Sequence, residues 1–196
     1  MRQRVHVMFP QLYNDPWKHL MVDNLLDDDV FKEVEKYAVD TFSRATEHVL
    51  ENHSILDNSR MYQLLAPVIL KLKDDYFELL NMGNKKLPEK CYPYVQFNIC
   101  PLGFKWKDIH VDAPRKLMTT VLYLNPDDSN GTDLYKEKDE ISLAKTVDWK
   151  KNRSVSFVSQ ADTKFKQTWH NYKNSLSPLR MSVNLILCTN INGKHY

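Results

Sequence analysis

The run Arg180-Met181-Ser182-Val183-Asn184-Leu185-Ile186-Leu187 constrains the fold more than any other part of the chain. Its period-two alternation puts Arg180, Ser182 and Asn184 on one face of a strand, with Met181, Val183, Leu185 and Leu187 on the other. An isolated strand of this kind ordinarily turns its polar face to water. Here that face is short, holds one cation and two small hydrogen bonders, and follows His170 by ten residues. A planar guanidinium matches a carboxylate with two parallel hydrogen bonds, and a neighbouring Ser hydroxyl adds a third. The pattern therefore predicts a strand with a buried anion clamp.

Upstream, two more apolar runs read as strands, Tyr94 to Cys100 and Leu117 to Leu124, and between them stands the pair His110-Val111-Asp112. A lone His-x-Asp triplet is weak, because chance supplies such pairs readily. Placed between two strands, and joined at long range by His170, it becomes the ligand set of a facial triad. Two imidazoles and one carboxylate then hold a ferrous ion and leave three positions open.

The halves of the chain differ. In the first, Val30, Val34, Tyr37, Ala38, Phe42, Ala45 and Val49 recur at helical spacing after the acidic segment Asp27-Asp28-Asp29, which suits a helix N-terminus. A second helix is expected after Asn58, with Met61, Leu65, Leu72, Tyr76 and Leu79 or Leu80 inward, and with Pro67 either kinking it or marking its first turn. From about Lys90 onward, short alternating runs separated by Pro, Asn, Asp and Gly predict a double-layered β-fold. The expected architecture is one domain over 1–196: an N-terminal strand and helices to about residue 89, buttressing one sheet of a mainly β jelly roll from about residue 90.

Composition excludes several classes. A formal charge of +2 with acids and bases interspersed gives no basic stripe for nucleic acid. No long apolar run or signal-like start suggests a membrane or secreted protein. The three cysteines, Cys91, Cys100 and Cys188, lack metal-type spacing, and the last two fall in apolar runs, which points to a reducing, cytoplasmic setting. The polar stretches 126–130 and 136–140 read first as solvated loops, with a lid over substrate as the functional alternative. Trp106, Trp149 and Trp169 read as core anchors, Trp106 being the best placed to face a site because its loop leads to His110. His6, His19, His48, His53 and His195 have no carboxylate at ligand spacing and take structural or surface roles.

These motifs resemble the Fe(II)/2-oxoglutarate-dependent oxygenases, specifically their prolyl-4-hydroxylase-like branch. The matching stretches are Ile109 to Asp112, Thr120 to Asn125, Asn130 to Tyr135, Ser154 to Ser159, Trp169-His170 and Arg180-Met181-Ser182, with Asp15 to Leu26 similar to the strand that precedes the first helix in small members. Where that pattern has paired glycines and an acid, this chain reads Asn130-Gly131-Thr132-Asp133. The resemblance implies a double-stranded β-helix (cupin-like), Fe(II) on His110, Asp112 and His170, and 2-oxoglutarate with its far carboxylate on Arg180 and Ser182. Same-face residues Gln96 and Asn98, beside Tyr94, are the further candidates for contacting the cosubstrate. The implied reaction uses molecular oxygen, with ascorbate as a reductant, to hydroxylate a C–H bond of a peptidyl substrate, prolyl among the candidates, or of a small molecule. A non-catalytic cupin-like metal or ligand-binding module is the alternative.

Overall fold

In a computed structural model, residues 10–81, 86–159 and 167–190 are described. Strands β1 (Gln11–Tyr13) and β2 (His19–Val22) lead to helix α1 (Asp28–Phe42), strand β3 (Val49–His53) and helix α2 (Arg60–Leu80). Then come β4 (Tyr92–Pro101), β5 (Lys116–Asn125), β6 (Thr132–Tyr135), β7 (Leu143–Thr146), β8 (Ser154–Val158), β9 (His170–Tyr172) and β10 (Leu179–Cys188). A seven-stranded sheet runs in the order β1-β2-β8-β5-β10-β4-β3, and a three-stranded sheet in the order β7-β6-β9, every pairing being antiparallel. This is the jelly roll, with two helices beside it.

The large sheet is buried on both faces, which is why its central strands read as nearly unbroken apolar runs. Val95, Phe97 and Ile99 of β4, Leu122 and Leu124 of β5, and Met181, Val183, Leu185 and Leu187 of β10 pack with Val34, Ala38, Leu65, Ile69, Phe77 and Leu80 of the helices. Each such side chain contributes about 1.5–3 kcal/mol by leaving water. On the opposite face Val121, Tyr123, Val155 and Phe157 meet Trp17, Leu134 of the small sheet and Val147. The even-numbered residues of β10 thus look between the sheets, as the alternation predicts.

Several expectations need correction. Helix α1 stops at Phe42, so Ala45 and Val49 are not helical, and Val49 instead opens β3, an edge strand in register with β4. The helical spacing continued past the true end because strand β3 shows no clean alternation of its own. Asp27 makes no side-chain cap bond, leaving Asp28 and Asp29 to favour the helix end by charge alone. Helix α2 is capped by Ser59, whose hydroxyl accepts from the Tyr62 N–H at 3.2 Å, and Pro67 lies inside it rather than in its first turn. Leu80 points inward and Leu79 outward.

The two polar stretches part company. Residues 136–140 stay exposed and end in a short 3-10 turn, where the Asp139 carboxylate accepts from the Ser142 N–H at 2.8 Å. Ser129 is instead buried against Ser177, and the carbonyl of Asn130 accepts from Arg180, so 126–130 is not merely a solvated loop. His6 and His195 lie outside the described residues.

Candidate active site

His110 and His170 face one another across an isolated antiparallel bridge, each backbone N–H donating to the other's carbonyl, at 3.1 and 2.9 Å. Their ring centroids stand 4.4 Å apart. Each ring also places Nδ1 against the carbonyl two residues earlier, Asp108 at 3.1 Å and Thr168 at 2.9 Å. A carbonyl can only accept, so Nδ1 carries the proton and Nε2 keeps its lone pair in the neutral ring. Burial lowers the pKa of both rings, His170 to about 4, with the neighbouring His110 acting in the same direction. Both are therefore neutral bases at physiological pH, as metal ligands must be.

Asp112 completes the set. Its Oδ1 accepts from Lys116 Nζ at 2.6 Å and its Oδ2 from Thr119 Oγ1 at 2.6 Å. Burial pushes this carboxyl up, but the Lys116 ammonium and the two hydrogen bonds outweigh it and hold the group well below the usual carboxylate range. One ligand atom from each of His110, Asp112 and His170 lies within 4.8 Å of the others. The three residues that the sequence grouped do stand together. The sequence gave no sign of Lys116 or Thr119, although position 116 lies only four residues past Asp112.

Arg180 is fully buried. Its Nε donates to the Asn130 carbonyl at 2.8 Å and its Nη1 to Ser182 Oγ at 3.1 Å, whereas Nη2 makes no hydrogen bond among the described residues. The guanidinium carbon stands 5.1 Å from the Trp149 ring, 5.4 Å from Tyr172 and 5.8 Å from Tyr123. Tyr123 is itself fixed, its hydroxyl donating to Thr132 Oγ1 at 3.0 Å and accepting from the Thr132 N–H at 2.9 Å. A buried cation costs several kcal/mol unless an anion answers it. Among the described residues no carboxylate forms an ion pair with Arg180.

One cavity of about 550 Å³ joins these two poles, lined by His110, Asp112 and His170 and also by Arg180, Gln96 and Asn98. Ser182 does not line it, acting instead on the Arg180 head. Gln96 donates to Asn52 Oδ1 at 2.9 Å and accepts from Asn184 at 3.3 Å, while Asn98 accepts from His48 Nε2 at 3.0 Å. Trp106 also lines the wall, its ring stacked on Tyr172 at 5.6 Å and 5.9 Å from His110. Trp149 stacks on Tyr123 at 4.5 Å and belongs to the Arg180 cage, which composition alone did not suggest. Gly131 lets the cage close, since a Cβ there would fall 1.6 Å from the Val147 carbonyl oxygen.

No protein-family model matches the chain, and no curated relative does. Solved structures do match. A viral collagen prolyl hydroxylase from Paramecium bursaria Chlorella virus 1, in complex with 2-oxoglutarate, superimposes with a TM-score of 0.58 at 15% identity, covering 88% of this chain and 96% of that one. The fold is that of the prolyl hydroxylases. A Pseudomonas putida prolyl-4-hydroxylase shares this fold with a TM-score of 0.57 at 17% identity, over 88% of this chain and 92% of that one. The same architecture serves the non-heme α-ketoglutarate-dependent epimerase of nogalamycin biosynthesis, at a TM-score of 0.54 and 12% identity, over 87% and 78% of the two chains. The prolyl-hydroxylase fold thus hosts more than one outcome, and the reaction must be argued from the site. No helix among the described residues is long and apolar enough to cross a membrane.

Proposed function

We propose that the chain is a single oxygenase domain that uses Fe(II) and 2-oxoglutarate to hydroxylate a C–H bond of a peptidyl or small-molecule substrate. One observation carries this reading: a buried guanidinium with no carboxylate partner among the described residues shares a cavity with two neutral imidazoles and an ionised carboxylate. The donor set fits Fe(II), since His110 and His170 offer Nε2 and Asp112 offers oxygen. The free Nη2 of Arg180 fits the far carboxylate of a dicarboxylic cosubstrate. With ion and cosubstrate bound, the site supplies oxidative chemistry in which 2-oxoglutarate becomes succinate and carbon dioxide as dioxygen is reduced.

The chain's own residues set the stage for that chemistry. Thr119 and Lys116 aim the Asp112 carboxylate and keep it ionised. The Asp108 and Thr168 carbonyls fix the imidazole tautomers, so neither ring must reorient to bind. Arg180, braced by Asn130 and Ser182, binds the cosubstrate in one direction, while Gln96 and Asn98 offer amides along its path. Trp106 and Tyr172 restrict water on the side of His110. The free thiols of Cys91, Cys100 and Cys188 support a reducing, cytoplasmic setting.

The test is succinate formation from 2-oxoglutarate with Fe(II), in air, with ascorbate as reductant and no substrate added. Slow turnover that vanishes in His170→Ala is expected. Equal succinate from wild type and His170→Ala would exclude the assigned centre.

A further inference from the structure

Among the described residues, the charged ones on the wall of the cavity are Arg180, Lys116, Arg115 and Asp112. A ferrous ion, the Asp112 carboxylate, a 2-oxoglutarate dianion and Arg180 cancel one another in charge. Lys116 and Arg115 remain, so the loaded cavity would stay positive by two charges. Lys116 is engaged on Asp112, but Arg115, which is half-buried, forms no ion pair among the described residues.

Arg115 also stands apart from Arg180 along the cavity wall. Its carbonyl accepts from the Thr189 N–H at 2.9 Å, just past the end of β10, whereas Arg180 stands near the start of that strand. Nine residues of extended chain separate positions 180 and 189, roughly 30 Å. The two arginines thus enter the cavity wall from opposite ends of β10. Around Arg115 the wall carries Tyr94 and Cys188, and both feel its charge: burial raises each pKa, and Arg115 opposes the rise. Farther in, Asn52, Gln96 and Asn184 occupy facing positions on β3, β4 and β10 and form a chain of neutral amides. They offer hydrogen bonds and no charge.

Resting on the oxygenase reading above, we propose that the substrate carries a carboxylate or phosphate group, bound by Arg115 at the end of the cavity opposite Arg180. A low-dielectric cleft with excess positive charge raises the local concentration of anions and strengthens the final contact. Asn52 and Asn184, at the two ends of the amide row, then meet neutral polar groups of the same molecule. A neutral prolyl segment would leave the Arg115 charge unanswered.

The test is calorimetric titration of protein loaded with Zn(II), which supports no redox turnover, and saturated with 2-oxoglutarate. Two pairs of probes differ only in charge within each pair: N-acetylproline against N-acetylprolinamide, and glycerol 3-phosphate against glycerol. We expect the anionic member of at least one pair to bind about tenfold or more tightly than its neutral partner. The pair that discriminates identifies the group as carboxylate or phosphate. Arg115→Gln should erase the difference, and Arg115→Lys should restore part of it. Equal affinity within both pairs, binding of none of the four, or a difference that survives Arg115→Gln overturns the proposal. The first titration, of 2-oxoglutarate itself, separates the two levels: if it fails to bind, the oxygenase reading falls, and if it binds without later discrimination, only the anionic substrate falls.

Discussion

The two poles of the cavity are built differently. Arg180 rides on β10, a ten-residue strand with neighbours on both sides, and its alternate residues form the core beneath the helices. His170 opens the three-residue strand β9 and bridges to His110, and Asp112 lies in the segment before β5. The buried guanidinium is thus set in the central sheet, whereas His110, Asp112 and His170 are held by short hydrogen-bonded pieces at its margin. A rigid strand aims one charge well. A margin can bring together residues that are sixty positions apart in the chain.

If this contrast is right, the largest effect comes from breaking the margin. Asp112→Ala and His170→Ala should each abolish iron binding and succinate formation while leaving the unfolding midpoint within a few degrees of wild type. Coincident loss of fold in either variant would mean that the triad is structural. Next, the two faces of β10 should separate cleanly. Arg180→Met should raise the apparent dissociation constant for 2-oxoglutarate by about 30-fold or more without lowering stability, because it removes an uncompensated buried cation. Leu185→Ala, one residue from Asn184 but facing the helices, should cost about 2–5 kcal/mol in urea unfolding.

A smaller effect is expected from Thr119→Val, which deletes the 2.6 Å hydrogen bond to Asp112 Oδ2. Metal affinity should fall about 10- to 100-fold, with 2-oxoglutarate affinity at saturating metal little changed. The smallest change sharpens the comparison from outside the cavity. Asp23 accepts from Arg153 Nε at 2.5 Å and Nη2 at 3.0 Å, and this pairing, together with Lys150, lowers its pKa to about 2. The folded state therefore binds this proton more weakly than the unfolded chain, and the stabilisation is full above the ordinary carboxylate pKa. It fades as pH falls from about 4 through about 2. Asp23→Asn should cost about 1–2 kcal/mol near neutral pH. Melting curves of the two proteins should converge toward pH 2, and a constant gap would show that the ion pair contributes nothing.

Much of this architecture was legible in the sequence because alternation survives wherever a strand has two chemically different faces. β10 shows it best, with polar Arg180, Ser182 and Asn184 against apolar Met181, Val183 and Leu185. The triad was legible for another reason, since few combinations of residue types serve as ligands. Strand β3 was not, because its burial follows from lying at the sheet edge rather than from its own pattern. The supports of the site were also hidden. Thr119 looks like one more β-branched strand residue, and the Asn130 carbonyl has no signature in residue identity at all. Trp149 was recognisable as an aromatic anchor, but its place beside Arg180 depends on contacts distant in the chain.

The most direct test is a crystal structure of the protein with Mn(II) and 2-oxoglutarate. The ion should sit about 2.0–2.3 Å from Nε2 of His110 and His170 and from an Asp112 oxygen, and the far carboxylate of 2-oxoglutarate should bind Arg180 Nη2. An ion bound elsewhere, or a carboxylate that leaves Nη2 without a partner, would contradict the account.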